Sequence, residues 1–327
     1  MDRRTAIRTA SVLTLLGLTG IDKIFSATRK SLPMANSFHS FKLGTLDLMV
    51  VTDGHILMKP VQPNFAPGIP AAEVETLLKD NFASTKEVDL GINILIVKKD
   101  DKTILIDTGC GANFGKDSGW LTDNLKRAGI ATATITDVVI SHAHPDHIGG
   151  LTNAAGKLVF PNAKIYLSKI EHDFWMNGEP DFSKSKIKDE ALKKLVVNVA
   201  RKNITAVKKT LHLFNDSETL LNCIKLKLAP GHTPGHTVTE IFSAGESLFH
   251  VADLVHSPIL VFEHPEWGFE GDTDFELAVQ SREKVLQQLT DTRTMVFSYH
   301  LPWPGIGHVK QKGKGFEWIQ VPSALPD

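Results

Sequence analysis

A short segment that follows a β-branched run concentrates side chains able to bind metal ions. Residues 139–151, VISHAHPDHIGGL, contain four of them within six positions: His142, His144, Asp146 and His147. In an extended segment, residues two apart point to the same side, so the first two imidazoles are expected to face one way. Pro145 ends that run, and Asp146-His147 can then open a helix over the same place. The spacing predicts a site for a borderline divalent metal.

Three further segments place a metal-binding group after a strand-like run. His232 lies in the turn-rich loop 230–236, PGHTPGH, in which only one or two imidazoles can point inward. Asp253 follows FHVA, and His300 follows SY. Loops at strand ends present chemistry at the rim of a sheet. One ion takes about four ligands, whereas these segments offer seven candidates, so the sequence predicts two ions.

The elements that must position these residues alternate between strands and helices. Strands are predicted at 41–58 (two strands around a turn at Asp53-Gly54), 91–108 (a hairpin), 136–141, 163–167, 220–228, 237–242, 247–251 and 294–299. Helices are predicted at 71–81, 120–128, 168–176, 184–209 and 275–289. This order, in two similar halves, predicts an α/β fold: a four-layer αβ/βα sandwich with sheets inside and helices outside.

Composition excludes several classes of partner. The 327 residues carry a formal net charge of −1, which argues against nucleic acid and against an anionic membrane. Two cysteines, Cys110 and Cys223, allow at most one disulfide, so a disulfide scaffold is excluded. Cys110 is expected to pack rather than to act as a nucleophile. The Pro-rich loop 60–70 could serve as a partner surface, which would allow a homodimer.

The first 36 residues are interpreted as an export signal and linker. Arg3-Arg4 precede an apolar stretch, 10–21, that is too short for a stable membrane span. The arginine pair resembles a twin-arginine signal and predicts a periplasmic or exported protein. The alternative is a disordered basic N-terminus on a cytoplasmic protein.

The ligand pattern as a whole resembles the binuclear hydrolases of the metallo-β-lactamase fold. It consists of His142-x-His144-x-Asp146-His147 followed by His232, Asp253 and His300. The segments FPNA (160–163), DFW (173–175) and PGIGH (304–308) are similar to the methyl parathion hydrolase-like branch. The resemblance runs from about Phe41 to the C-terminus and implies a single hydrolase domain over residues 37–327.

The resemblance implies a role for each candidate ligand. His142, His144 and His232 would hold one ion, Asp146, His147 and His300 the other, and Asp253 would bridge the two. Asp107 in ILIDTG is similar to the carboxylate that orients a ligand imidazole, although a strand-end aspartate can also cap its own turn. His236 would be structural, because His232 fills the ligand role. The ions are expected to be Zn²⁺, with Mn, Fe and Co also compatible with such ligands.

Two such ions, about 3.5–4 Å apart, lower the pKa of a water held between them. The resulting bridging hydroxide would attack a carbonyl or phosphoryl centre, with Asp146 and Asp253 as the catalytic carboxylates. The expected function is metal-dependent hydrolysis of small esters. Lactones or aryl esters come first, and organophosphate triesters would be side substrates.

The same resemblance suggests residues for the substrate pocket. Phe114 and Trp175 resemble the aromatic wall of the phosphotriesterase pocket, although either could be a core aromatic. His256 stands three residues after Asp253, where that branch has an apolar pocket residue, and is expected to hydrogen-bond a lactone or ester oxygen. The stretch 186–194 lacks that branch's aromatic, so a more polar pocket is expected.

Other functions on this fold stay open at this point. Signal-lactone hydrolases carry a tyrosine near the metals, and neither Tyr166 nor Tyr299 follows Asp253, which argues against a specialised acyl-homoserine lactone hydrolase. A glyoxalase II-like thioesterase would want a basic pocket that the sequence does not reveal. A nuclease is disfavoured by the charge. A non-catalytic metal-binding or redox module is the remaining alternative; diiron oxidoreductases of the fold carry a glutamate in the first motif, where Ala143 and Pro145 flank His144 here.

Overall fold

A computed structural model describes residues 37–322 of the chain. The export signal proposed for residues 1–36 lies outside this range. Within it, the strands form two seven-stranded sheets. None of the helices in these residues combines the length and the apolar character needed to cross a bilayer.

The first sheet has its strands in chain order. They are β1 (Phe38–Leu43), β2 (Leu46–Met58), β3 (Val88–Lys99), β4 (Lys102–Ile106), β5 (Asp137–Ile140), β6 (Lys164–Ser168) and β7 (Leu211–Phe214). The strands pair antiparallel from β1 to β4 and parallel from β4 to β7. The parallel half therefore brings the carboxyl ends of β4 and β5 to the same edge.

The second sheet also follows chain order. Its strands are β8 (Thr219–Leu220), β9 (Ile224–Leu228), β10 (Thr237–Ser243), β11 (Glu246–His250), β12 (Met295–Phe297), β13 (Ile306–Lys312) and β14 (Gly315–Gln320). Only β11 and β12 pair in parallel within this sheet. Their carboxyl ends again share one edge.

Seven α-helices accompany the sheets in the described residues. They are α1 (Ala71–Asp80), α2 (Leu121–Arg127), α3 (Pro145–Ile148), α4 (Lys169–Met176), α5 (Glu190–Ala206), α6 (Leu260–Glu263) and α7 (Phe275–Thr292). Asp189 and Asp274 cap the two longest helices by accepting backbone N–H hydrogen bonds in the first turn.

Three apolar layers hold the sandwich together. Alternate residues of β3 face opposite sides: Leu95 and Val97 pack between the sheets, while Ile94 and Ile96 pack beneath α2 and α5. On the other side, α6 and α7 cover the second sheet. The predicted four-layer sandwich, with helices outside, is confirmed.

The predicted turn at Asp53-Gly54 is wrong. The hairpin turns at Gly44-Thr45, where Gly44 has φ +55°. Asp53-Gly54 instead form a bulge inside β2, where the register with β3 shifts. The buried Asp53 carboxylate accepts hydrogen bonds from the backbone N–H groups of Leu121 (2.7 Å) and Cys110 (2.8 Å). This polar pair therefore anchors a neighbouring loop rather than reversing the chain.

The sequence had suggested that β12 is the last strand, and this is wrong. A β13–β14 hairpin follows it. Lys310, Gln311 and Lys312 at the end of β13 are polar and exposed, so hydrophobic alternation fades before that strand ends. The strand predicted at 220–228 is two strands, β8 and β9, and β7 was not predicted. Cys110 and Cys223 are both buried and unpaired.

Candidate metal centre

The seven candidate ligands meet at one edge of the sandwich. The first motif, 142–147, follows β5, Asp253 follows β11 and His300 follows β12; His232 lies between β9 and β10. Both sheets contribute strand ends to this edge. Residues more than 150 positions apart in the chain are thereby brought into contact.

The side chains form two clusters that share one carboxylate. The first contains His142, His144, His232 and Asp253, and the second contains Asp146, His147, Asp253 and His300. In each cluster the potential ligand atoms all lie within 4.8 Å of one another. These are the two groupings that the family resemblance implied.

Short distances join the members of the first cluster. His144 Nδ1 lies 2.9 Å from His232 Nε2. Asp253 Oδ2 lies 3.2 Å from His232 Nε2 and 3.7 Å from His142 Nε2. Four donor atoms thus surround one small volume.

The second cluster is built in the same way around the other side of Asp253. Oδ1 of Asp253 approaches His147 Nε2 to 2.8 Å without forming a hydrogen bond. His300 Nε2 lies 3.4 Å from Asp146 Oδ2 and 3.3 Å from Asp253 Oδ2. The carboxylate of Asp253 therefore faces both groups.

Unpaired buried atoms indicate that these clusters suit cations. His142 Nε2, His147 Nε2 and Asp253 Oδ1 are buried and have no hydrogen-bond partner. Leaving such atoms unpaired costs about 1–3 kcal/mol each, and one cation in each cluster would satisfy all three. The imidazole and carboxylate donors fit a binuclear site for Zn, Mn, Fe or Co.

Burial and the neighbouring carboxylates together set the charge state of the candidate ligands. At His147 and His232 burial alone would lower the pKa, but Asp253 together with Asp107 or Asp272 outweighs it: the pKa of His147 lies well above the ordinary value and that of His232 is raised to about 9, so a cation bound there would displace a proton. At His142 and His144 burial lowers the pKa well below the ordinary histidine value. Both rings are therefore neutral near pH 7, which is the form that binds a metal. Burial alone would raise the pKa of Asp253, but the surrounding imidazoles outweigh it and lower that pKa well below the usual range.

Asp107 contacts a candidate ligand as the resemblance implied. Its Oδ2 lies 2.9 Å from His147 Nδ1, and its two oxygens also accept from Ser141 N and Ser141 Oγ, each at 2.7 Å. A carboxylate only accepts, so the ring carries its proton on Nδ1 and turns Nε2 toward the cluster. The alternative, a cap on its own turn, does not describe these contacts.

A second carboxylate of this kind was not predicted. Asp272 Oδ1 lies 2.9 Å from His232 Nδ1, and Arg282 Nη2 donates to Asp272 Oδ2 at 3.2 Å. The buried Arg282 also donates to the carbonyls of Leu254 and Pro265. Asp272 stands in a loop with no motif around it. A lone arginine on the apolar face of α7 is the one sequence signal that could have led to it.

His236 has the structural place that was expected. Its Nδ1 donates to the Ala229 carbonyl (3.0 Å), and its Nε2 accepts from the backbone N–H of Asp253 (3.1 Å). Burial lowers the pKa of His236 to about 3, so the ring stays neutral and fixes the backbone that carries Asp253.

The clusters lie at the floor of a cavity of about 120 Å³. Phe114 and His256 line it, as the resemblance suggested. Trp175 does not. Its side chain is fully buried, 6.0 Å ring to ring from His144, and its indole N–H donates to Glu171. The expectation that Trp175 forms a pocket wall is therefore corrected: it is a core aromatic behind the first cluster.

The cavity walls are more apolar than the sequence suggested. Away from the clusters they are built mainly by aliphatic and aromatic residues: Ile56, Met58, Leu90, Phe114, Ile187, Leu192, Val196 and Phe269. Ile187 and Leu192 belong to the stretch whose lack of an aromatic had predicted a polar pocket. Aliphatic side chains from that stretch close the wall instead.

His256 is the polar exception in this wall. Its Nε2 lies 3.1 Å from Asp253 Oδ2, and its ring stacks on Phe269 with centroids 4.2 Å apart. Burial lowers its pKa to about 4, so the neutral ring donates through Nε2 and leaves Nδ1 as an acceptor. The expected bond to a lactone oxygen is thus corrected to one that accepts an N–H or a water.

Neither tyrosine lines this cavity. Tyr299 stacks on His147 with centroids 4.0 Å apart, and its hydroxyl donates to the Asp146 carbonyl at 2.7 Å. Tyr166 donates to Asp137 at the other end of β5. Tyr299 therefore packs against the second cluster without lining the cavity.

Fold and site together define the class of protein. Residues 88–300 match the sequence profile of the "Metallo-beta-lactamase superfamily". This match covers more than half of the chain, so the chain belongs to that superfamily.

Particular relatives narrow the comparison. A solved structure of AidC, "a Dizinc Quorum-Quenching Lactonase", in complex with a hexanoyl-homoserine product, is 46% identical with a TM-score of 0.85 and covers 88% of this chain and 99% of that chain. The "hydrolase AbOPH in beta lactamase superfamily" is 29% identical with a TM-score of 0.81, covering 89% and 99%. "Metallo-beta-lactamase domain-containing protein 1" of Xenopus laevis is 30% identical over 123 residues, 36% of this chain and 46% of that protein. The chain spans about half the length of the curated relatives it matches.

Proposed function

We propose that this protein is a binuclear metal-dependent hydrolase of lactones, with N-acyl homoserine lactones as the first substrates to test. The observation that carries the proposal is the pair of clusters sharing Asp253 at the floor of an apolar cavity. The lactone ring of the substrate would lie at the clusters, and its apolar acyl chain would lie against the cavity walls.

Two bound divalent ions would supply Lewis acidity and an activated water. The chain supplies the rest. Asp146 is 15% exposed and borders the cavity, so its carboxylate can take the proton of the hydroxide that has attacked the carbonyl carbon and pass it to the ring oxygen as the ring opens. Ile187, Leu192 and Val196 line the part of the cavity that would take the acyl chain and would exclude water from it.

His256 adds a reason to prefer an acyl-amide lactone. Its ring lies in the cavity wall, and its Nδ1 is buried without a partner. A turn of the ring would expose this acceptor to the amide N–H of an acyl-homoserine lactone, a donor that a simple aryl ester lacks. The similarity to a quorum-quenching lactonase supports the same substrate class. This similarity weighs more than the absence of a tyrosine after Asp253, because the similarity extends over most of the chain.

The main alternatives differ in what they require of the cavity. A glutathione thioesterase needs cations for the substrate carboxylates, and no lysine or arginine is among the cavity-lining residues of the described chain. Phosphotriester hydrolysis is the second candidate, because Phe114 and Phe269 provide aromatic surface for an aryl leaving group. A non-catalytic metal-binding module would bind ions and turn over none of these substrates.

A substrate panel at fixed metal content tests the proposal. Zinc-loaded and chelator-treated protein are compared on N-hexanoyl-homoserine lactone, γ-butyrolactone, an aryl ester, a glutathione thioester and an aryl phosphotriester. The proposal expects the highest kcat/KM for the acyl-homoserine lactone and its loss on chelation. Preference for the thioester or the phosphotriester, or activity indifferent to chelation, would contradict it.

A further inference from the structure

Helix α4 carries one fully buried carboxylate, Glu171, that accepts four hydrogen bonds. Its Oε1 accepts from the backbone N–H of Ala143 (2.9 Å) and from the indole N–H of Trp175 (2.7 Å). Its Oε2 accepts from Thr233 Oγ1 (2.6 Å) and from the backbone N–H of Gly235 (3.0 Å). The carboxylate has no contact with solvent.

These contacts tie together the two loops of the first cluster. Ala143 lies between His142 and His144, and Thr233 follows His232. One side chain therefore holds both segments that carry the three imidazoles of this cluster. The second cluster has its own support, because His147 is oriented by Asp107.

The surroundings of Glu171 require a carboxylate. Three of its four partners, two backbone N–H groups and an indole N–H, can only donate, and a carboxylate is the side chain that only accepts. In Glu171→Gln the amide NH₂ would face one of these donors. If it replaces Oε2, Thr233 can rotate to accept from it, but the N–H of Gly235 is left without an acceptor.

Close packing prevents the loop from relaxing around such a change. A Cβ at Gly235 would lie 2.3 Å from the backbone nitrogen of Glu171, so the loop rests directly on α4. A misfit at residue 171 would therefore be passed to His232, three residues before Gly235, rather than absorbed by a side chain.

We infer that Glu171 is a positioning residue for the first ion of the pair, setting the affinity of that ion and not of the second. The inference rests on the proposed binuclear site. A purely structural role would instead lower the stability of the whole domain and affect both ions alike.

Single-ion backgrounds separate the two ions. His300→Ala retains the imidazoles of the first cluster, and His232→Ala retains the second cluster. Zinc affinity is measured in each by competition with a chelator, with and without Glu171→Gln. In the His300→Ala protein the added change should weaken zinc binding by about 10- to 100-fold, the range for residues that orient ligands. In the His232→Ala protein the Kd should stay within about twofold, which is our criterion for no effect.

Two further variants keep the test interpretable. Thr233→Val removes one donor to Glu171 and leaves the carboxylate, so it should weaken the first ion less but in the same direction; it serves if Glu171→Gln fails to fold. Asp137→Asn removes a different buried carboxylate, which accepts from Tyr166 and Thr136 at the far end of β5. It should lower the Tm and leave both affinities unchanged.

The outcomes divide clearly. Weakening confined to the His300→Ala background supports the positioning role of Glu171. Equal weakening in both backgrounds, or none in either, overturns it while the binuclear site stands. A wild-type protein that binds no zinc overturns the proposed function and this inference with it.

Discussion

At the scale of single residues, three candidate ligand imidazoles are oriented by the contact of Nδ1, the ring nitrogen that does not face the clusters. Nδ1 of His147, His232 and His300 faces Asp107, Asp272 and the Gly91 carbonyl respectively, each at 2.9 Å. An acceptor at Nδ1 fixes the ring proton there and leaves the Nε2 lone pair free for a cation. The sequence predicted His147 from its local motif, and the family resemblance implied the ligand roles of His232 and His300. It did not predict Asp272, because that carboxylate comes from a distant loop.

His256→Leu tests the one polar group in the cavity wall. Packing an apolar leaving group against this polar ring costs on the order of 1–3 kcal/mol, so the variant should raise phosphotriester hydrolysis relative to lactone hydrolysis by roughly ten- to a hundredfold. The measurement is kcat/KM for one aryl phosphotriester and one acyl-homoserine lactone at equal metal content. An unchanged ratio would show that His256 does not contact substrate.

His250→Phe tests how burial of neutral histidines limits stability in acid. His250 is fully buried, stacks on Phe297, and has a pKa lowered by burial to about 4. Below pH 6.5 His250 binds a proton in the unfolded chain but stays neutral in the native protein, so the free energy of unfolding falls as pH drops from 6.5 to 4. This one group accounts for roughly 3 kcal/mol of that fall.

The phenylalanine keeps the stacking and removes the titration. Urea unfolding at pH 7 and pH 4 should show a fall that is smaller by about that amount in His250→Phe than in the wild type. An identical fall in the two proteins would mean that His250 does not stay neutral in the native state. The difference between pH values is the readout, so a constant packing penalty in the variant does not matter.

At the scale of elements, α5 links the amphipathic pattern to substrate binding. The lysine-rich helix predicted over 184–209 is present as Glu190–Ala206 and begins at the Asp189 cap. Its Leu192 and Val196 line the cavity, whereas Leu195 lies on the same helix outside it. The helix therefore provides both a solvated face and a cavity wall.

Val196→Phe should shorten the space for an acyl chain. The larger side chain should lower kcat/KM for a decanoyl-homoserine lactone by roughly tenfold or more relative to the butanoyl compound, since overpacking costs about 1–3 kcal/mol. Leu195→Phe is the matched control and should leave the ratio of the two substrates unchanged. Equal losses for both chain lengths in Val196→Phe would place the acyl chain elsewhere.

Elements were predictable where their signal was local. The β5 strand and the motif after it follow from β-branched residues and a proline, whereas α5 was predicted to begin at 184, before its Asp189 cap. The β2 bulge was mistaken for a turn, because Asp-Gly suits both and only the contact of Asp53 with a loop some 60 residues away distinguishes them. The buried Glu171 was missed for the same reason: three of its four donors lie on two loops that are distant in the chain.

At the scale of the whole molecule, the two sheets act as the frame of a single site. The first sheet delivers the 142–147 motif, and the second delivers His232, Asp253 and His300. Only Asp253 belongs to both clusters. A function that needs both ions therefore depends on the packing of the two sheets against each other, which the apolar layer between them maintains.

The central claim is that two ions at the shared Asp253 make a lactone hydrolase. The most direct test is a titration of metal-free protein with Zn²⁺, following bound zinc and N-hexanoyl-homoserine lactone hydrolysis in the same samples. The account predicts that binding saturates at two ions per chain, that activity rises mainly with the second, and that Asp253→Ala loses most of the activity together with bound metal. Full activity at one ion per chain, or an active Asp253→Ala protein, would contradict it.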